Sequence, residues 1–479
     1  MVYGPKIRGG ARRAGIVLYA VLVIIAISTM ISASIMFRMQ AEVAASGSYV
    51  RGDQAWSTAF SGIKHAMAIL ASPPSEGGNY DNPDLYCDQF VCGDGGDEWY
   101  FTIYAYNDRD DEEVRYGVSD TAGKINVNTA SRKVLEGLPN MTAELVDCLI
   151  DFRDSDDKPQ ENGAEQDYYD QLAHPYAIRN GSLMTVEELL LVKGFDGKLV
   201  YGEDANFNGL LDPNESDGDE THPIEDDGDE ILDRGLRSML TTIAYERNVD
   251  NENQPRININ GKTDSRSLRA AVGRATAEFI EFCREGGKKF THPSELLKMS
   301  YTSKSSGSSG SSRRFRRDRG STSGETRHSP VNSASALAEV LDKLTVSDSK
   351  VLWSGTINVN TAPSEVLLAV LGGDNGDLVD RIVSVRADLT PEERATTAWL
   401  YDNDLVGTDE FKAIAPLLTA RGFQYRIQVV GYGVNSGRYC VLEAIVDLAS
   451  QSPRILYLRD LTSLGMPFAL VNLQEKADN

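Results

Sequence analysis

The sequence predicts an α+β fold: one long N-terminal helix, strands in two blocks far apart in the chain, and a large, mainly helical insertion between them. Three observations predict it. The 21 residues from Ile16 to Met36 carry no charge, and the helical pattern then runs on without a proline to Leu70. Aromatic and β-branched residues concentrate at Glu98–Tyr106 and Glu113–Val118, then again at Gln424–Val430, Arg438–Val446 and Arg454–Leu458. Between these blocks an Ile-Asn-hydrophobic-Asn phrase recurs three times, at Ile125–Asn128, Ile257–Asn260 and Ile357–Asn360.

The apolar run comes first. At about 1.5 Å per residue it reaches roughly 30 Å, the thickness of a hydrocarbon core. Lys6, Arg8, Arg12 and Arg13 precede it without an acid, so the basic flank should stay in the cytoplasm and the rest lie outside. A cleaved secretory signal is the competing reading, with Ala41 to Ala45 as its cleavage region. Beyond the run, Val43, Val50, Ala55, Phe60, Ile63 and Met67 are the expected packing positions of the continuing helix.

Each Ile-Asn phrase leads into a helical pattern, with Asn and Thr expected as N-caps. A second helix with a basic end follows, at Leu145–Arg153, Ala277–Arg284 and Leu378–Arg386. Two copies share a third element, Met184–Leu190 and Thr291–Leu297. Uneven spacing indicates duplicated units carrying insertions, not a regular solenoid. Between Thr302 and Ser335, Gly and Ser surround a basic knot from Arg313 to Arg319, a composition that cannot bury a core.

One loop carries chemistry. Asp204, Asn206, Asn208 and Asp212 place oxygens at positions one, three, five and nine of a twelve-residue calcium loop. Gly209 stands at six, the aliphatic Leu211 at eight and Glu215 at twelve, while Leu210 at seven would contribute its carbonyl. The stretch from Glu203 to Asp233 holds 13 acids and no Lys or Arg, which repels itself without a cation. A second site using Asp217, Asp219, Asp227 and Asp229 is conceivable from composition alone. Cys87 and Cys92 bracket a short polar segment, and an oxidising compartment would allow a disulfide there, while Cys148, Cys283 and Cys440 sit in apolar contexts.

Composition excludes some functions. A net charge of -23 over 479 residues repels phosphate backbones and argues against nucleic acid as the main partner. The five histidines form no HExxH pair, and no P-loop or nucleophile elbow is present, so no enzyme is expected.

The apolar run that continues into helix, after Arg12-Arg13-Ala14-Gly15 and before Ile16, resembles the N-terminal spine of type IV pilins and type II secretion pseudopilins. That resemblance implies a pilin-like fold, with the strands packed on the soluble half of the helix, and removal of a basic leader by a prepilin peptidase between Gly15 and Ile16. Most members carry Glu at the fifth mature position, where this chain has Ala20. The K-type minor pseudopilin lacks that Glu, which the family reads as a sign of the fibre tip. Asp151–Asp156, Gly163–Tyr169, Pro175-Tyr176, Asn180 and Glu188–Gly194 are similar to that type's phrases, in the same order. Its insertion holds helix-hairpin-helix or SAM-like units used structurally, and here Leu138–Thr142 lacks the glycines of a phosphate-gripping hairpin. Members of the type bind calcium.

The resemblance implies a leader at 1–15, a transmembrane half-helix at 16–37 and the first part of the pilin-like domain at 38–122. The helical insertion follows at 123–300, with its calcium loop at 204–215. A Gly/Ser/Arg linker at 301–335, a further helical unit at 336–421 and the second part of the domain at 422–479 complete the chain. Other minor pseudopilins, the major pseudopilin, the prepilin peptidase and the inner-membrane secretion platform are the implied partners. The implied place is the inner membrane, single-pass, with the soluble region in the periplasm. A tip pilin for adhesion or DNA uptake and a membrane-anchored DNA receptor are the alternatives.

Overall fold

The computed structural model describes residues 12–72, 78–107, 113–218, 221, 226–262, 264–303, 325–352, 355–450 and 452–470. Helix α1 runs unbroken from Arg12 to Leu70. Its stretch from Val17 is long and apolar enough to cross a membrane, and none of the most apolar window is buried. The lower end packs on a sheet. Ala55, Ala59, Ile63, Ala66 and Met67 are buried there, while Phe60 is half-buried and stacks on Trp56 at 5.1 Å. Val43 and Val50, expected to pack, are exposed because the sheet does not reach that far up the helix.

The sheet is antiparallel and made from both ends of the soluble chain. Strands β1 (Gln89–Gly93), β2 (Glu98–Tyr104) and β3 (Ser119–Asp120) come before the insertion. After it come β4 (Gln424–Gly433), β5 (Tyr439–Asp447) and β6 (Arg454–Asp460). The order is β1-β2-β4-β5-β6, with β3 also pairing to β4. Glu113–Val118 does not form the expected strand. Arg115 and Gly117 make single bridges to Ala105 and Asp81, and the Arg115 side chain is spent on the carbonyls of Tyr106 and Val118.

Alternation along β4 and β5 assigns two faces. Ile427, Val429, Leu442, Ala444 and Val446 pack into the core under α1. Arg426, Gln428 and Glu443 belong to the opposite register and are buried as well, because the insertion covers that side. Against α1 the fit is close. A Cβ on Gly431 would overlap the backbone of Ala59, and one on Gly62 would sit 2.7 Å from Val429 Cγ2.

The insertion repeats one closure three times. Ile125-Asn126, Ile257-Asn258 and Ile357-Asn358 pair in parallel with Leu240-Thr241, Leu344-Thr345 and Leu418-Thr419. In each copy the first Asn side chain accepts from the amide two residues on, at 3.0, 2.9 and 3.1 Å. These asparagines are therefore turn residues, not the expected helix caps. Ser131 caps the first short helix instead, and Thr142 caps the helix Ala143–Arg153. The basic helix ends also have one job. Arg153 donates to Val127 O and Ala130 O, Arg284 to Gly261 O, and Arg386 to Val359 O and Ala362 O. The shared third elements are short 3₁₀ turns, Val186–Leu191 and Pro293–Leu296. At the linker, Ser300–Thr302 pairs with Thr326–His328 as a hairpin whose connection, with its basic knot, lies outside the described residues.

Overpacking the helix–sheet contact should cost stability. Gly431→Ala, which forces backbone to move against backbone, is expected to lose about 1–3 kcal/mol. A lower melting temperature for the variant than for the parent chain in the same detergent checks this.

Candidate metal centre

The acidic loop lies where the insertion meets the sheet. A short helix, Gly197–Tyr201, delivers the chain to Asp204, and a 3₁₀ turn at Pro213–Glu215 ends the loop. Phe207 and Gly209 both take positive φ, 61° and 73°, which winds the backbone tightly around its side chains. Glycine is required at 209, since a Cβ there would run into the Tyr106 side chain.

Hydrogen bonds already shape the loop around its oxygen-bearing side chains. Gly209 N donates to Asp204 Oδ2 at 3.2 Å, Asn208 N to Asn206 Oδ1 at 3.0 Å and Leu210 N to Asn208 Oδ1 at 2.8 Å. Glu215 reaches back across the loop and accepts from Ala205 N at 2.9 Å and Asp212 N at 3.1 Å. The side-chain amides of Asn206 and Asn208 donate to Asp212 Oδ2 at 2.8 and 3.0 Å. One oxygen is left over: Asp204 Oδ1 is buried without a hydrogen-bond partner. Burial raises Asp204 to about 6 and Glu215 to about 7, above the ordinary carboxylate range. An orphaned carboxylate oxygen within a folded cradle of carboxylates and amides fits a hard cation. Asp204, Asn206, Asn208, Asp212, Glu215 and the Leu210 carbonyl are the residues that would hold it.

Around this loop the contacts are long-range. Gln428 Nε2 on β4 donates to Phe207 O at 2.9 Å, and Asn208 Nδ2 donates to Pro467 O at 2.7 Å. The Arg237 guanidinium lies 4.2 Å from the Phe207 ring centroid and donates to Glu443 Oε2 on β5 at 2.7 Å. Arg426 Nη1 stands 3.6 Å from the same oxygen. Arg237 and Arg426 hold the wholly buried Glu443 down at about 2, although burial alone opposes ionisation. Glu443 thus adds stability above its usual 4.5 that is lost as pH falls toward 2.

Sequence reasoning missed this charged joint, whose members are far apart in the chain and separately unremarkable. The proposed second acidic set is reorganised. Asp227 shares a cluster with Glu203 and Asp226, their oxygens within 4.8 Å of one another, while Asp217 accepts from Thr221 and Asp229 from Ile231 N. Asp219 lies outside the described residues. Cys87 and Cys92 are separate thiols here. Gly15 and Ile16 fall within the helical span of α1, and their side chains lie outside the described residues.

Helix, sheet and insertion together define a class: an α+β protein with one helix suited to crossing a membrane, whose soluble end carries a split antiparallel sheet. Residues 124–201 match the family model described as type II secretion system (T2SS), protein K. Over 203 residues the chain is 28% identical to "Type II secretion system protein K" of Pseudomonas aeruginosa, covering 37% of this chain and 57% of that one. It thus spans little more than half the length of the curated relative it matches. Among solved structures it is similar to the GspK-GspI-GspJ complex from the enterotoxigenic Escherichia coli type 2 secretion system. That match has a TM-score of 0.39 and 12% identity, covering 88% of this chain and 99% of the other. Over this part of its length the chain is similar to protein K of type II secretion.

Removing the charge at the joint should be expensive. Glu443→Gln leaves Arg237 and Arg426 facing an uncharged group, and breaking a buried pair this way costs about 3–5 kcal/mol. Thermal melting in detergent should show the loss at neutral pH. It should shrink toward pH 2, where the parent chain forfeits the same contribution.

Proposed function

We propose that this chain is a non-enzymatic minor pseudopilin at the tip of the type II secretion pseudopilus, where it helps initiate assembly and export across the outer membrane. The observation that carries this is one of continuity. A helix apolar enough for a membrane runs directly into the core of a sheet whose insertion contains the protein K module at residues 124–201. Such a spine transmits position from the membrane to the insertion with no flexible linker in α1.

The exposed apolar residues of α1 support further parts of the reading. The upper stretch suits an inner membrane, leaving the soluble region in the periplasm. Met39, Val43 and Val50, exposed below it, suit packing against the spines of other minor pseudopilins and the major pseudopilin. Processing by the prepilin peptidase between Gly15 and Ile16, followed by N-methylation, and contact with the inner-membrane platform complete the proposal. Calcium at Asp204–Glu215 has a structural role: it would neutralise a loop held by both the sheet and the insertion.

Three measurements test this. Deleting the gene should abolish secretion of type II substrates, with rescue by the wild-type chain; unchanged secretion counts against the proposal. Mass spectrometry of the mature protein should find Ile16 as the first residue, and Gly15→Ala should accumulate the unprocessed form. A terminus near Ser46 would instead indicate an ordinary signal peptide. For the loop, calcium at a hundredfold excess over Kd should stabilise the chain by about 2.7 kcal/mol, and Glu215→Gln should weaken binding most. A melting temperature that does not respond to EGTA or calcium would leave the loop as a solvated acidic run.

A further inference from the structure

One edge of the sheet is open. Among the described residues β6 pairs with β5 alone, and no backbone hydrogen bond joins its outer side to another element. Leu461 N donates to Val441 O at 2.9 Å. Alternation from there turns the backbone of Arg459 and Tyr457 toward β5 and that of Leu458 outward. Such an edge is a template for a further strand.

Apolar side chains flank it on both faces. Leu458 stands opposite Ala444 and so shares the α1 face, yet it is 40% exposed, because α1 lies over β2, β4 and β5. His65 meets Phe101 of β2 at 5.3 Å, and at about 100° per residue Trp56 and Phe60 occupy the opposite flank of the helix, nearer β6. Trp56 is exposed there. On the insertion face Glu187 reaches Arg459 at 3.3 Å, and Leu190, one 3₁₀ turn on, eclipses Glu187 and is exposed as well. A strand laid along β6 would bury side chains on both of its faces.

Charge decides which strand. Arg454 and Arg459 straddle the apolar residues of β6, one meeting Asp447 and the other Glu187, with side chains still 61% and 35% exposed. A second copy of β6 fits badly. Antiparallel pairing centred on the apolar residues sets Arg454 against Arg459 of the other copy, and parallel pairing in register sets each Arg against its own counterpart. These arginines and the bulge between Ile445 and Val446 are devices that keep an edge from pairing with itself. They do not exclude a strand with acidic ends. We infer that the outer edge of β6 receives, by strand addition, an edge strand of a different pilin-like subunit, apolar in its middle and acidic at its ends. This rests on the pseudopilin reading above and adds to it the surface and the mode of contact. Backbone bonds would hold the incoming strand to the sheet, and the exposed leucines on either face would select its side chains.

The test places the photo-crosslinker p-benzoylphenylalanine at Leu456 of the full chain, expressed in its native host in place of the parent gene. Irradiation should give an adduct with another pilin-like subunit, identified by mass spectrometry of the purified adduct. Leu458→Pro removes the outward N–H, a change an edge strand tolerates. It should cut the adduct about tenfold, the worth of roughly one backbone hydrogen bond. Leu458→Val keeps the N–H and an apolar side chain and should leave the adduct unchanged. Should Leu458→Pro fail to fold, Leu458→Asp takes its place, since a carboxylate facing the acidic ends of the incoming strand should lower the adduct likewise. The inference is overturned if no adduct with a pilin-like subunit forms, if adducts are confined to this chain or a second copy of it, or if they survive the substitution in a folded chain. Secretion scored in the same cells separates the two readings. Missing adducts where secretion depends on the chain sink the docking edge alone, whereas secretion that proceeds without the gene sinks the pseudopilin reading.

Discussion

A single buried carboxylate sets the terms for how this chain assembles. Glu443 lies in the middle of β5 with its side chain directed away from α1, 1% exposed. A sheet with that face open to water would hydrate the charge and need nothing else. Here the insertion covers the face, so the charge must be met by protein, and Arg237 from the insertion and Arg426 from β4 meet it. Neither body is complete alone: the sheet without the insertion exposes its far face, and the insertion without the sheet loses the Arg237–Glu443 pair and keeps only Glu187, 3.5 Å from Arg237. Docking of the two is therefore a condition of the fold and not an optional contact.

The insertion solves a related problem on a smaller scale. Short helices joined by irregular turns leave many backbone groups unpaired, and each must be satisfied. One Asn per repeat closes its own turn, and the next Asn reaches out. Asn128 exchanges bonds with Leu183 and Asn260 with Phe290, while Asn360 donates to Arg394 O and Ala420 O. A Leu-Thr pair returning from later in the chain completes the closure in all three copies. The third copy also touches the sheet directly. Asn358 and Thr361 both donate to Asp120 Oδ2, at 2.6 and 2.8 Å, just after β3 has paired with β4.

What the sequence made legible follows from how local each signal is. Helix α1 and the long strands announce themselves through runs of apolar, aromatic or β-branched residues, and the structure places them close to where those runs lie. The returning Leu-Thr pairs do not, because two residues in a parallel bridge leave no periodicity to detect; their recurrence as Leu240-Thr241, Leu344-Thr345 and Leu418-Thr419 was the only available sign. Glu113–Val118 had the composition of a strand, yet the Arg115 side chain competes for the carbonyls a neighbouring strand would use. In the acidic loop the spacing of oxygens and the glycine were readable. That the loop would be held by Gln428, Pro467 and Tyr106 was not, since those contacts join residues more than a hundred positions apart.

These constraints converge on one place. Phe207, inside the acidic loop, offers its carbonyl to β4 and its ring to Arg237, the same residue that neutralises Glu443. Arg237 also lies 3.5 Å from Glu187, which Arg459 on β6 approaches at 3.3 Å. Loop, insertion and sheet therefore share one charged network, anchored on β5, one of the strands that grip α1. Phe207 and Arg237 join the loop to the network, and β4 and β5 join the network to the helix. At Gly62 and Gly431 the same sheet lies so close to α1 that a single added Cβ would meet the Val429 side chain or the Ala59 backbone, so the helix end is seated against the strands that carry the network.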